Sequence, residues 1–210
     1  MICIPIKKAS IRELLSTLDK ANKLSDLYEI WFDEIQDLNK EQISKIFKKA
    51  NKPIIYKYSN NSKNFQNILS FKPKYIDVDF NSAPVLINEI KDLSPNSKII
   101  ISYHNYKLTP PLKELKSIIE NMWKKGAEIL KIATRASSLS DSLLVLSLLE
   151  ELHTEGNKAI CICMGEKGRI TRSTGHIFGN YLMYAPFDKE DSTAPGQITA
   201  GELKRIIELT

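Results

Sequence analysis

Lys131 sits in the middle of Gly126-Ala-Glu-Ile-Leu-Lys-Ile-Ala-Thr134, a short apolar run whose length and β-branched content predict a buried strand. Desolvation disfavours an ammonium, so a lysine buried there is pushed towards its neutral amine, which can condense with a ketone to give a Schiff base. The plainer reading is a strand-end lysine with its stem on apolar surface and its head in water. What tips the balance towards chemistry is the company it keeps. His104 closes another apolar strand and is one of only three histidines; imidazole is the usual proton carrier near neutral pH. Arg172 lies in Gly168-Arg-Ile-Thr-Arg-Ser173, and a guanidinium is shaped to grip a carboxylate with two hydrogen bonds. Glu29 and Asp33 fall at the end of a second apolar stretch. Thr193 and Gln197 belong to Ser192-Thr-Ala-Pro-Gly-Gln197, where Pro195 and Gly196 fix a turn that can present a hydroxyl and an amide.

These residues need a scaffold that brings strand ends together. Apolar strand-like runs occur at Ile2–Ile6, Leu27–Trp31, Pro53–Tyr58, Lys74–Phe80, Lys98–His104, Ile129–Ala133, Ala159–Met164 and Asn180–Phe187. Between and after them lie helical patterns: one capped by Ser10 with Glu13 at the capping-box position, then about 39–50, 62–69, 84–91, 111–125, 141–153, a short one near 168–174, and 199–209. Eight strand–helix units imply parallel pairing with right-handed crossovers and fit a closed (β/α)8 TIM barrel, with the 210 residues as a single domain near the lower length limit for that fold. Such barrels carry their chemistry at the carboxyl ends of the strands, which is where the unusual polar residues fall. Alternation puts Lys131 on a face with Ile129 and Ala133, and His104 with Ile100 and Ser102.

Composition narrows the remaining classes. The net charge of +5 is mild and dispersed, which reads as a solvated lysine surface rather than a nucleic-acid face. Cys3, Cys161 and Cys163 all sit in apolar runs, an odd number that suggests free thiols in a reducing compartment. No run approaches a membrane span and no start resembles a signal peptide, so a cytoplasmic protein is expected. No histidine pair has metal-ligand spacing, so no metal is expected, and the Gly165–Gly168 run is too short for a nucleotide fingerprint, so no cofactor is expected either. His153 reads as solvated. The sequence fixes no oligomeric state, and a homodimer is compatible with it.

Tyr28-Glu-Ile-Trp-Phe-Asp33, Ile101-Ser-Tyr-His-Asn-Tyr106 with Thr109-Pro110, Gly126–Ala133, Met164-Gly-Glu-Lys-Gly-Arg-Ile-Thr-Arg172 and Ser192–Gln197 together resemble the type I 3-dehydroquinate dehydratases. The segments run from the second strand to the last loop, and their order and spacing make the set specific. The resemblance implies that Lys131 forms an imine with a ketone substrate and that His104 is the general base and acid. It implies that Arg172 anchors the substrate carboxylate, with Thr193 (where serine is usual) and Gln197 as polar companions. Glu29 would bond substrate hydroxyls, and 3-dehydroquinate would be the small-molecule partner.

Three departures from the family pattern stand out. The chain has Trp31 two residues after the strand-two glutamate and Tyr58-Ser59 at the end of strand three, where the family has arginines. Ser59-Asn-Asn-Ser-Lys63 offers no carboxylate to orient the histidine. Lys57 and Lys63 are the nearby residues able to supply lost charge. The departures leave two alternatives open: another Schiff-base lyase or aldolase on a related keto acid, and a weakened binding homologue. The stretch from Phe187 to Thr193 reads as a candidate lid.

Overall fold

The computed structural model describes residues 1–59, 62–82 and 84–210, apart from the side chains of residues 84 and 85. Eight parallel strands alternate with eight helices: β1 (Ile2–Ile6), α1 (Ile11–Ala21), β2 (Leu27–Ile30), α2 (Lys40–Ala50), β3 (Ile54–Lys57), α3 (Phe65–Ser70), β4 (Tyr75–Asp79), α4 (Pro84–Leu93), β5 (Lys98–Asn105), α5 (Leu112–Lys124), β6 (Ile129–Arg135), α6 (Leu139–Thr154), β7 (Ala159–Met164), α7 (Arg169–Thr174), β8 (Met183–Tyr184) and α8 (Ala200–Leu209). The strands pair in the order β7-β6-β5-β4-β3-β2-β1-β8. The Tyr181 amide donates to the Ala159 carbonyl (2.8 Å) across the remaining gap. This is the expected (β/α)8 barrel.

The interior is layered by the two-residue period of the strands. Leu27, Ile55, Tyr75, Ile100 and Ile129, one from each of β2 to β6, form with Cys3, Ile160 and Leu182 an apolar floor. Two residues further along the same five strands the inward positions are Glu29, Lys57, Asp77, Ser102 and Lys131, all polar, and Leu182 is likewise followed by Tyr184. Two residues further still, Trp31, Ser59, Asp79, His104 and Ala133 line an open cavity. Alternate positions along each strand therefore have opposite fates. Ile30, Tyr56, Ile76, Val78, Ile101, Leu130 and Ile132 face outward into the shell between strands and helices. Cys161 and Cys163 belong to that shell as free, buried thiols, as expected.

Several local expectations shift. The eighth strand shrinks from the expected eight residues to Met183–Tyr184, because beyond Ala185 the chain turns into the loop before α8. Ser10 does not cap α1 through its side chain. Capping boxes close instead at Asn39 with Gln42, Ser138 with Asp141 and Thr199 with Glu202. The helix expected from residue 62 starts at Phe65, and the Ser62 hydroxyl donates to Asp33 instead. A short 3-10 turn at Phe32–Glu34, unsignalled in the sequence, follows β2. Asn60 and Asn61, part of the stretch without a carboxylate, lie outside the described residues. Among the described residues no helix is long and apolar enough to cross a membrane.

The loop after β8 is stapled to the loop after β7. The Gly165 amide donates to the Pro195 carbonyl (3.1 Å). Gly196 has φ +81°, and a Cβ there would run into the Gly165 carbonyl oxygen. Gly196→Ala is therefore expected to destabilise the protein by about 1–3 kcal/mol, read from urea unfolding midpoints. An unchanged midpoint would show that the staple is not held under this constraint.

Candidate active site

The cavity at the carboxyl end of the strands has a volume of about 300 Å3. Lys131, His104, Glu29, Arg172, Thr193 and Gln197, drawn from β2, β5, β6, α7 and the loop after β8, all line it. Six of the seven side chains singled out in the sequence thus meet in one place. Asp33 does not join them. Its carboxylate accepts from the Ser59 amide (3.0 Å) and hydroxyl (2.9 Å) and from Tyr56 Oη (3.2 Å), and so ties down the loop after β3.

Lys131 is 4 % exposed. Its Nζ donates to Glu29 Oε2 (2.9 Å) and Asp77 Oδ2 (2.8 Å) and lies 4.1 Å from the centre of the Tyr184 ring. The expectation of a neutral amine is overturned in this state. Burial does push the ammonium towards neutrality, but the carboxylates of Asp77 and Glu29 outweigh it and raise the lysine well above its ordinary value. Asp77 balances in the opposite sense. Burial would raise its carboxyl, and Lys131 and Lys57 hold it below the usual range instead. Asp77 Oδ1 accepts from Lys57 Nζ (2.8 Å) and Ser102 Oγ (2.6 Å). Glu29 accepts from Tyr184 Oη (2.8 Å) on Oε2 and from Trp31 Nε1 (3.2 Å) on Oε1. The barrel centre is thus crossed by one hydrogen-bonded chain of alternating charge, Glu29–Lys131–Asp77–Lys57.

Asp77, Ser102 and Tyr184 were not singled out in the sequence. The signal for Asp77 is present: in Tyr75-Ile-Asp-Val-Asp79 the aspartates alternate with apolar residues, which puts Asp77 on the inner face with Tyr75.

His104 is half-buried, and its ring stacks on Tyr106 with centroids 6.0 Å apart. Burial, then the charges of Lys57 and Lys131, bring its pKa down to about 3, against opposing pulls from Asp77 and Asp79. The imidazole is therefore neutral, in its proton-accepting form. The loop that follows is fixed by Thr109 Oγ1, which donates to the Arg135 carbonyl (2.9 Å) and meets Thr134 Oγ1 (2.9 Å).

Arg172 is 2 % exposed. Its Nε donates to the Cys163 carbonyl (3.0 Å) at the end of β7. α7 reaches this close because Gly168 has no side chain; a Cβ there would lie 2.6 Å from the Cys163 carbonyl oxygen. Both terminal guanidinium nitrogens are buried without a hydrogen-bond partner among the described residues. Burial without a counter-charge brings the pKa down to about 10. A guanidinium fork has the shape to grip a carboxylate with two hydrogen bonds. In the same cavity wall, Gln197 Oε1 accepts from the amides of Thr193 (2.8 Å) and Ala194 (3.1 Å) and from Ser192 Oγ (3.1 Å), which shapes the loop. Lys8 pairs with Asp191 and ties the same loop to the segment after β1. Among the described residues no group of three His, Cys, Asp or Glu could hold a metal ion.

Residues 2–210 match the family model described as type I 3-dehydroquinase. The chain belongs to the type I 3-dehydroquinase family. The 3-dehydroquinate dehydratase of Methanococcus vannielii is 34% identical over 221 residues, covering 100% of this chain and 99% of the relative. That of Pyrococcus abyssi is 31% identical over 223 residues, covering 100% and 98%. Among solved structures, the 3-dehydroquinate dehydratase of Geobacillus kaustophilus superposes with a TM-score of 0.87 at 22% identity, covering 99% of this chain and 90% of the other, and so supports the fold.

The depressed pKa of His104 fixes a pH dependence. Between about 3 and the unfolded value near 6.5 the unfolded chain binds a proton that the folded one refuses, so this residue costs stability progressively as the pH falls through that window. The wild type is expected to lose stability relative to His104→Gln between pH 6.5 and pH 3, read as urea midpoints at each pH. Parallel curves would mean that the imidazole titrates near its free value.

Proposed function

We propose that this enzyme dehydrates 3-dehydroquinate to 3-dehydroshikimate through an imine on Lys131. Family membership supports the reaction, and one observation carries the mechanism: a single cavity of about 300 Å3 is lined by a buried lysine, a neutral imidazole and a guanidinium whose two terminal nitrogens have no partner among the described residues. In this reading the substrate carboxylate seats on the two free nitrogens of Arg172, with Thr193 and Gln197 beside it. The Lys131 amine attacks the ring ketone, and water leaves to give a protonated imine. The imine withdraws electrons from the neighbouring C–H bond. His104 removes that proton to give an enamine, then returns it to the departing β-hydroxyl, which leaves as a second water. Hydrolysis of the conjugated imine frees the product and restores the lysine.

Lys131 must shed its proton before it attacks. Glu29 and Asp77 are within hydrogen-bond distance to take it, and they hold the cation of the imine afterwards. An incoming carboxylate adds negative charge to the cavity and raises His104 towards a working range for proton transfer. Trp31 and Ser59, uncharged in the cavity wall, favour a second reading in which the same machinery serves a different cyclic keto acid. The compartment we infer is the cytoplasm, which suits three unpaired buried cysteines.

Lys131→Arg keeps a cation between Glu29 and Asp77 but cannot form an imine. It is expected to fold and to give no enone product in an ultraviolet assay with 3-dehydroquinate. His104→Ala is expected to lose roughly 100- to 10,000-fold in kcat. Normal turnover in the arginine variant would refute the imine. Fast turnover of another keto acid by the wild type, with none of 3-dehydroquinate, would establish the second reading.

A further inference from the structure

Lys57 is a cation in the cavity wall to which the mechanism above gives no task. Its Nζ donates to Asp77 Oδ1 (2.8 Å) and to Ser102 Oγ (3.0 Å). An ammonium has three hydrogens, and the third finds no acceptor among the described residues. The side chain is 12 % exposed, and the residue lines the cavity. β3 and β7 stand four places apart in an eight-membered ring, so Lys57, at the end of β3, and Arg172, held to the end of β7, approach the ligand from opposite sides. Trp31, Tyr58 and Ser59 beside Lys57 carry no charge.

We propose that Lys57 is a specificity-determining contact whose free N–H donates to ring hydroxyl oxygens of the ligand, at the end remote from the carboxylate. This rests on Arg172 being the carboxylate seat. The neighbouring groups say why the acceptor is a hydroxyl rather than a second anion. Lys57 is already paired with Asp77, and Glu29 and Asp79 line the same cavity, so another carboxylate would meet two of its own sign. A hydroxyl accepts from Lys57 and donates to a carboxylate, and adjacent hydroxyls match a wall on which donor and acceptors are interspersed. The site thereby selects a polyhydroxylated cyclic acid over a bare one.

Binding of two acids that can neither form an imine nor turn over tests this on the full chain by calorimetry. Quinate carries the carboxylate and the ring hydroxyls. 1-Hydroxycyclohexane-1-carboxylate keeps the carboxylate and its geminal hydroxyl but lacks the others. The wild type is expected to bind quinate roughly 10- to 100-fold more tightly than the bare acid. Lys57→Met should lose most of that preference by weakening quinate alone, and Lys57→Arg should recover much of it. Equal weakening of both acids in Lys57→Met would assign the lysine a structural role, and unchanged affinities would remove it from the site; either overturns the proposal. So would a wild type without preference, a result that stands even if Lys57→Met does not fold. Arg172→Gln separates this from the reading beneath it: it should weaken both acids alike, and if it weakens neither, the carboxylate seat fails whatever Lys57 does.

Discussion

A lysine ammonium buried between two carboxylates at the centre of the barrel is the constraint on which the site depends. Removing an ammonium from water costs several kcal/mol, and only close pairing offsets that cost. Glu29 comes from β2 and Asp77 from β4, while Lys131 comes from β6, so the contact spans the barrel and works only if three separate strands hold register. Asp77 is itself steadied by Lys57 and Ser102, and Glu29 by Tyr184 and Trp31. The buried charges Glu29, Lys131 and Asp77 are thus paired as a unit. Loss of one member would leave a buried charge unpaired, which typically costs about 3–5 kcal/mol. The same pairing holds the amine at the cavity floor, in hydrogen-bond contact with two carboxylates.

Above this charged layer the geometry follows from where each strand ends. The floor below is apolar, and the next inward positions line the cavity. Arg172 is the exception, because it comes from a helix rather than a strand. It reaches the cavity only because Gly168 lets α7 press against Cys163, whose carbonyl takes Nε and leaves the two terminal nitrogens without a partner among the described residues. The loop carrying Thr193 and Gln197 depends in turn on Gly196 fitting over Gly165. Two glycines thus control what two strands do not.

The architecture was legible because strand and helix patterns alternate eight times and the polar exceptions cluster at strand ends. Lys131 and His104 stood out because a lysine and a histidine interrupt apolar runs. Asp77 was harder to see. An aspartate flanked by Ile76 and Val78 looks like an ordinary polar alternation until Lys131 is known to lie across the barrel, a contact between residues 54 apart in sequence. The charge state of the lysine was read the wrong way for the same reason: burial is a local property of the strand, whereas its counter-charges come from elsewhere in the chain. The short β8 and the uncapped start of α1 show the limit of local signals, since tertiary packing decides where a ladder stops. The departures at Trp31 and Ser59 were visible, but not that Trp31 would spend its N–H on Glu29 or that Ser59 would turn to Asp33.

The account stands on covalent chemistry at one nitrogen. Treating the wild type with 3-dehydroquinate and borohydride, then mapping the product by peptide mass spectrometry, examines that nitrogen directly. The account predicts a reduced ligand adduct on the peptide containing Lys131, formed in step with loss of activity. An unmodified Lys131 in an enzyme that still turns over, or an adduct confined to other lysines, would contradict it.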